Sequence, residues 1–209
     1  MLSYDSALLE KAFDVLNEIY YENSLPKAVI TIQSNPKSYG YITVQKVWHD
    51  SEESYYEINI SAEHLARPIE NVLATLNHEM VHLYCMVNNI QDVSGGGRYH
   101  NKNYKKQAEK RDLIIEYVKY IGYSKTSPSE KFIKVLKENG LYTNINHCRT
   151  TGNSLNVPPS GGDSDNSSNI KKKSSTRKYR CEGCLCSVRA TKDVNIICAD
   201  CMALMVKVD

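Results

Sequence analysis

No apolar run in this sequence approaches the ~18 residues that would suggest a membrane-crossing helix, so no membrane span is expected. No basic-then-apolar segment near the N-terminus precedes a small-residue cleavage site, so a secretory signal is not expected either. These two absences make a cytoplasmic location the expectation. Phenylalanine is scarce, with two residues against fifteen tyrosines, a bias that by itself points to no function. Neither sign of charge dominates: a net charge of +2 and a 41% hydrophobic content describe an ordinary soluble protein. At 209 residues there is room for one well-packed domain and a small appendage. Residues 1–150 carry 17 Lys/Arg against 18 Asp/Glu and residues 151–209 carry 9 against 6, so the mild basic excess lies in the tail.

What is present begins with Leu76-Asn77-His78-Glu79-Met80-Val81-His82-Leu83, an H-E-x-x-H word inside an apolar stretch. Two histidines four apart sit about one helical turn from each other and face the same way. Each offers a neutral imidazole nitrogen to a tetrahedral zinc. Glu79 adjoins the first ligand too closely to bind the same ion without strain. It is placed instead to take a proton from water, the base role in metalloproteases. Pro68 suits the first turn of a helix, and Ile69, Val72, Leu73, Leu76, Met80, Leu83 and Val87 recur at helical spacing. A carboxylate beside that buried stripe is costly without a charge partner, which disfavours reading His78 and His82 as ordinary core histidines.

A third ligand is required. The metzincin word would place Gly and His where Cys85 and Asn88 stand, and is excluded. Downstream, Ser94-Gly95-Gly96-Gly97-Arg98-Tyr99-His100 brings a lone histidine through a glycine-rich turn to the start of an expected helix over 101–118. On that helix Glu109, the alternative ligand, lies nine steps of about 100° beyond His100, roughly on the opposite face. His100 is preferred for its flexible approach.

Before the motif, a helix is expected from Leu2 to about Asn23, with Leu8, Leu9, Ala12, Phe13 and Leu16 on its buried face. Strands are expected at 28–32, 39–48 and 55–60. Such a sheet has an edge along which an extended substrate can add as a strand. After it, Ser127-Pro128-Ser129-Glu130 starts and Asn139-Gly140 stops a short helix. His49 and His64 are expected at the surface, Cys85 as a buried thiol; His147 and Cys148 have no partner spacing. Lys102, Lys105, Lys106, Lys110 and Arg111 read equally as a solvated face or a nucleic-acid contact. Residues 150–178 hold almost nothing apolar and are expected to be a linker.

The tail carries Cys181-x-x-Cys184 and Cys198-x-x-Cys201 with thirteen residues between, two knuckles able to close one four-cysteine zinc site. A segment of about 30 residues cannot build its own core, so zinc would supply its folding energy. Cys186 competes with Cys184, which is preferred because x-x spacing gives both sulfurs of a knuckle a common direction.

Together, His78-Glu79-Met80-Val81-His82, the glycine turn before His100, Tyr104 after it and the cysteine tail resemble the SprT/Spartan (SprT-like) family of zinc metallopeptidases, over nearly the whole chain from about Leu2. The resemblance implies a small zincin fold, an intracellular protease and, in the Spartan branch, action on DNA-attached proteins. Family knuckles usually carry Gly after the second Cys, where this chain has Leu185. The expected class is α+β: a minimal zincin-like domain over 1–149, a linker over 150–178 and a zinc ribbon over 179–209. Two Zn2+ are expected, one catalytic at His78, His82 and His100 with Glu79 as base, one structural at Cys181, Cys184, Cys198 and Cys201. The expected partner is a protein or peptide substrate, with DNA a candidate through the basic linker end and ribbon. The competing reading is a non-catalytic, zinc-stabilised adaptor, but a structural site is normally closed by four protein ligands.

Overall fold

The computed structural model describes residues 2–145, 147–150 and 176–208. Most of the expected linker, 151–175, lies outside them. The chain divides into two units, Met1–Val157 and Pro158–Asp209, each with its own core. It is a mixed α+β protein with four α-helices and several small sheets among the described residues. None of its helices is long and apolar enough to cross a membrane.

In the first unit, α1 (Leu2–Tyr21) buries Leu8, Leu9, Ala12, Phe13 and Leu16. It ends where Glu22 and Asn23 turn left-handed, with φ of 54° and 55°. Asn17 then clasps the following chain, donating to the Leu25 carbonyl and accepting from its N–H. Next come β1 (Ala28–Gln33), β2 (Gly40–Ile42), β3 (Trp48–His49) and β4 (Ser54–Ser61). β4 is central, parallel to β1 and antiparallel to β2 and β3. The expected single strand over 39–48 is thus two, interrupted at 43–47. The interruption surrounds Glu57, a buried carboxylate that accepts from Thr31, Gln33, Tyr41 and Trp48.

A 3-10 turn at Ala62–His64 leads to α2 (Ile69–Val87). Pro68 caps this helix instead of occupying its first turn, and its carbonyl accepts from the Asn71 and Val72 N–H groups. Val72, Leu73, Leu76, Met80 and Leu83 are fully buried. α2 packs against α1 and both sheets of this unit, so its side chains are held from several sides.

The second sheet runs β5 (Val93–Ser94), β6 (Tyr99–His100), β8 (Gly122–Pro128), β7 (Leu113–Val118). Here the expected helix over 101–118 is corrected. α3 spans only Lys102–Glu109, Asp112 turns left-handed at φ 59°, and the chain returns as β7. Leu113 and Ile115 face the core while Ile114 and Glu116 are exposed, a period of two that an antiparallel partner in β8 can satisfy. α4 (Glu130–Glu138) is capped by the Ser129 side chain, which accepts from the Phe132 N–H, and ends at Gly140 with φ 66°. The chain then returns to the unit's start, where His147 Nδ1 lies 2.7 Å from buried Asp5 and the Arg149 N–H donates to the Ala62 carbonyl.

The second unit holds β9 (Arg177–Arg180), β10 (Ser187–Ala190), β11 (Ile197–Cys198), β12 (Ala203–Leu204) and β13 (Val206–Val208). β9 lies between β10 and β13, and β11 pairs with β12. Among the described residues its buried core is Tyr179, Cys181, Cys198 and Met205.

Candidate metal centres

The rigid middle of α2 presents His78 and His82 one turn apart, and the end of β6 brings His100 between them. The three Nε2 atoms lie 3.2 Å (His78–His82), 3.2 Å (His78–His100) and 3.1 Å (His82–His100) apart. Tyr104, fully buried, sits with its ring centroid 4.7 Å from each imidazole. It comes from the first turn of α3, which Asn101 caps by accepting from the Asn103 and Tyr104 N–H groups. His100 therefore ends a strand and does not begin the helix. The glycine turn works differently from expectation: Gly95, Gly96 and Gly97, all at positive φ, join β5 to β6. Gly122 is equally constrained, since a Cβ there would meet the His100 carbonyl oxygen at 2.1 Å.

The far nitrogens of the two α2 rings fix their orientation, while His100 Nδ1 is buried without a hydrogen-bond partner among the described residues. His82 Nδ1 is 2.5 Å from Asp92 Oδ2, and His78 Nδ1 is 2.7 Å from Thr126 Oγ1. A carboxylate only accepts, so His82 carries its proton on Nδ1 and turns a bare lone pair inward. Burial, reinforced by the neighbouring imidazoles, holds the His78 pKa well below its usual value and that of His100 at about 4. Three imidazole Nε2 atoms within 3.2 Å of one another bring their donor nitrogens to one point, an arrangement that a cation between them would stabilise. A zinc with Zn–N of ~2.0–2.1 Å and tetrahedral angles requires N···N of roughly 3.3–3.4 Å. The donor set fits that ion.

Glu79 is buried, and burial raises its pKa to about 7, partly offset by His82. A cation at the imidazoles would favour its charged form. β2 runs directly over it: a Cβ on Gly40 would lie 3.3 Å from Glu79 Oε1, 3.1 Å from Thr75 Cγ2 and 2.9 Å from the Asn59 carbonyl. Glycine is thus what lets this strand approach the carboxylate. Glu109 is far from this arrangement in kind, half-exposed and paired with Lys105 at 3.5 Å. His49 and His64 contact Ser54 and the Pro36 carbonyl outside the cluster. Cys85 is buried, which pushes its thiol up to about 12.

In the second unit, Cys181, Cys184, Cys198 and Cys201 bring their sulfurs within 4.8 Å of one another. Cys186 is close behind, 3.8 Å from Cys198, where Cys184 stands at 3.6 Å. Each knuckle closes on a left-handed residue, Leu185 at φ 61° and Met202 at φ 50°. That explains why a glycine would be at home after the second cysteine.

A family model described as SprT-like family matches residues 9–118, 110 of the chain's 209. The chain belongs to the SprT-like family. The match spans the imidazole cluster and stops before α4, so it is shorter than the resemblance suggested and leaves the cysteine tail outside. Comparisons with curated proteins and with solved structures returned no match. Membership in the SprT-like family is compatible with a metallopeptidase-like enzyme. Sequence reasoning had not found Asp92, Thr126 or Gly40, because nothing in local spacing ties them to the motif.

Proposed function

We propose that this chain is a zinc-dependent metallopeptidase with a zincin-like domain over 1–149, a linker over 150–178 and a structural zinc ribbon over 179–209. The observation that carries the reading is the convergence of three buried imidazole Nε2 atoms beside one buried carboxylate, Glu79. His78, His82 and His100 would hold the catalytic zinc; Cys181, Cys184, Cys198 and Cys201 the structural one. Bound there, zinc would supply Lewis acidity and would make a water more acidic, with a pKa toward ~7.

The chain's own groups do the rest. Asp92 and Thr126 keep the two α2 rings oriented and Tyr104 packs among the three imidazoles without adding a charge. Glu79 takes the proton of the attacking water and delivers it to the leaving amine. β2 has no partner on its outer side among the described residues. An extended peptide pairing there would pass beside Glu79, with main-chain hydrogen bonds aligning the scissile bond.

The ribbon is the proposed recruiter of nucleic acid. Lys178 and Arg180 share one face of β9, and Arg189 lies opposite Lys178 on β10, so three exposed cations line that face. Such a small set would bind modestly and lose affinity steeply with salt. Lys171, Lys172 and Lys173, also expected to contribute, lie outside the described residues. The test is cleavage of a DNA-bound protein, with and without single-stranded DNA, by wild type and Glu79→Gln. Wild type should cut and Glu79→Gln should retain zinc and not cut. Zinc retention with no cleavage by either form would favour the adaptor reading.

A further inference from the structure

Arg67 stands between the turn at Ala62–His64 and the start of α2, half-buried. Its guanidinium is fixed on three sides. It lies 3.9 Å over the Tyr39 ring, its Nε donates to the His64 carbonyl at 3.0 Å, and its Nη2 donates to Thr75 Oγ1 at 3.0 Å. Yet it enters no ion pair within 4.0 Å among the described residues. Glu63, four residues earlier in the chain, is otherwise engaged, accepting from Ser34, the Asn35 N–H and Ser61 and lying 3.8 Å from Arg149. Nη1 has no partner among the described residues and is not sealed from solvent. A guanidinium held rigid with one arm left open to solvent is preorganised to meet an anion.

Its position says where that anion would be. Thr75 lies one helical turn before Glu79 on the same face of α2. Thr75 Cγ2 and Glu79 Oε1 both flank Gly40 of β2, and Tyr39, the ring beneath the guanidinium, is the residue just before Gly40. Arg67 therefore sits at the head of the unpartnered strand edge, about one turn of helix from the base.

We propose that Arg67 reads a carboxylate on the substrate, making this a specificity site for acidic peptides bound along β2. The inference rests on the metallopeptidase reading for where the substrate lies. The carboxylate has two sources, an Asp or Glu side chain near the scissile bond or the peptide's own C-terminus. A planar fork grips either by paired charge-assisted hydrogen bonds, and such contacts give a preference on the order of 10- to 100-fold.

The test uses the zinc-loaded full chain carrying Glu79→Gln, immobilised, so that bound peptides survive. The probe is a synthetic nonapeptide library with Ala, Leu, Gln and Glu at every position, made in amidated and free-acid forms. Retained peptides should be enriched about tenfold or more in Glu over Gln at one position, or in the free-acid form, which separates the two sources. The enrichment should vanish with Arg67→Gln and fall with Arg67→Lys, which keeps the charge and loses the fork. Thr75→Val, which removes only one anchor of the guanidinium, should weaken it while leaving Arg67 in place. Equal enrichment with and without Arg67, or no acidic enrichment at all, overturns the proposal. If retention depends on Arg67 and wild type cuts none of the retained peptides, the site stands and the metallopeptidase reading falls. If wild type cuts peptides with no acidic preference, the reverse holds.

Discussion

The two candidate metal-ligand clusters are built on opposite terms. The imidazole cluster sits on a frame that exists without it: α2 is buried along its length by Val72, Leu73, Leu76, Met80 and Leu83, and its two rings are oriented by Asp92 and Thr126. The thiol cluster has almost no frame. Two of its four proposed ligands, Cys181 and Cys198, are themselves half of the four residues that form its buried core among the described residues. Burial of apolar area stabilises by ~25 cal/mol per Å2, and four residues cannot offset the ordering of more than thirty. In the first unit the fold places the candidate ligands. In the second the metal would place the fold.

The largest effect that separates them is metal removal. Chelation of the full chain should expose the amides of 176–208 to rapid hydrogen exchange while those of α1, α2 and β4 stay protected. Mass-resolved exchange reads this directly, and equal loss in both units would dissolve the contrast.

Glycine substitutions sharpen the comparison next. Gly122→Ala puts a Cβ 2.1 Å from the His100 carbonyl oxygen at a φ of 73°, against backbone that cannot yield. It should cost the first unit ~2–4 kcal/mol and displace His100, seen as a lower melting temperature and loss of the zinc at that centre. Gly183→Ala in the tail has no left-handed φ to strain, but its Cβ meets Cys201 Sγ at 3.0 Å, a proposed ligand that a bound zinc would hold in place. It should cost ~1 kcal/mol, less than Gly122→Ala, and show as weaker zinc retention by the tail.

Asp92→Asn comes third. It leaves the ring nitrogens in place but removes the charged acceptor that fixes the His82 tautomer. Zinc affinity at the imidazole centre should fall roughly 10- to 100-fold, measured by chelator competition, with the thiolate centre unchanged. The smallest effect is expected from Leu185→Gly. Relieving a left-handed Leu gains ~1–2 kcal/mol against ~0.5–1 kcal/mol of added chain entropy. The tail should therefore hold its zinc slightly more tightly, and a clear loss would mean that Leu185 packs usefully.

Elements whose signals are local were legible in the sequence. α1 and α2 follow their apolar stripes, α4 its Ser129 start and Gly140 stop, and the cysteine knuckles their x-x spacing. What was missed depends on partners distant in the chain. The 101–118 segment continues a helical pattern as far as Arg111, and only pairing with β8 and the left-handed turn at Asp112 convert Leu113–Val118 into a strand. His100 was chosen over Glu109 on the assumption of one continuous helix. The structure puts His100 in the cluster for another reason: β6 pairs with β5 and β8, which aims its last residue at α2. Asp92 and Thr126 reach the site from separate strands or loops, which no spacing rule encodes. The expected strand over 39–48 is likewise two, and a residue of each half, Tyr41 and Trp48, donates to the buried Glu57 carboxylate.

The central claim, two independent zinc centres placed by opposite means, is tested most directly by the zinc content of the purified full chain and two sets of variants. Wild type should carry two zinc ions per chain by atomic emission. His78→Ala/His82→Ala should carry one, with α2 still protected from exchange. Cys181→Ser/Cys198→Ser should also carry one, with 176–208 unprotected. A single zinc in wild type that survives the histidine changes would contradict the account.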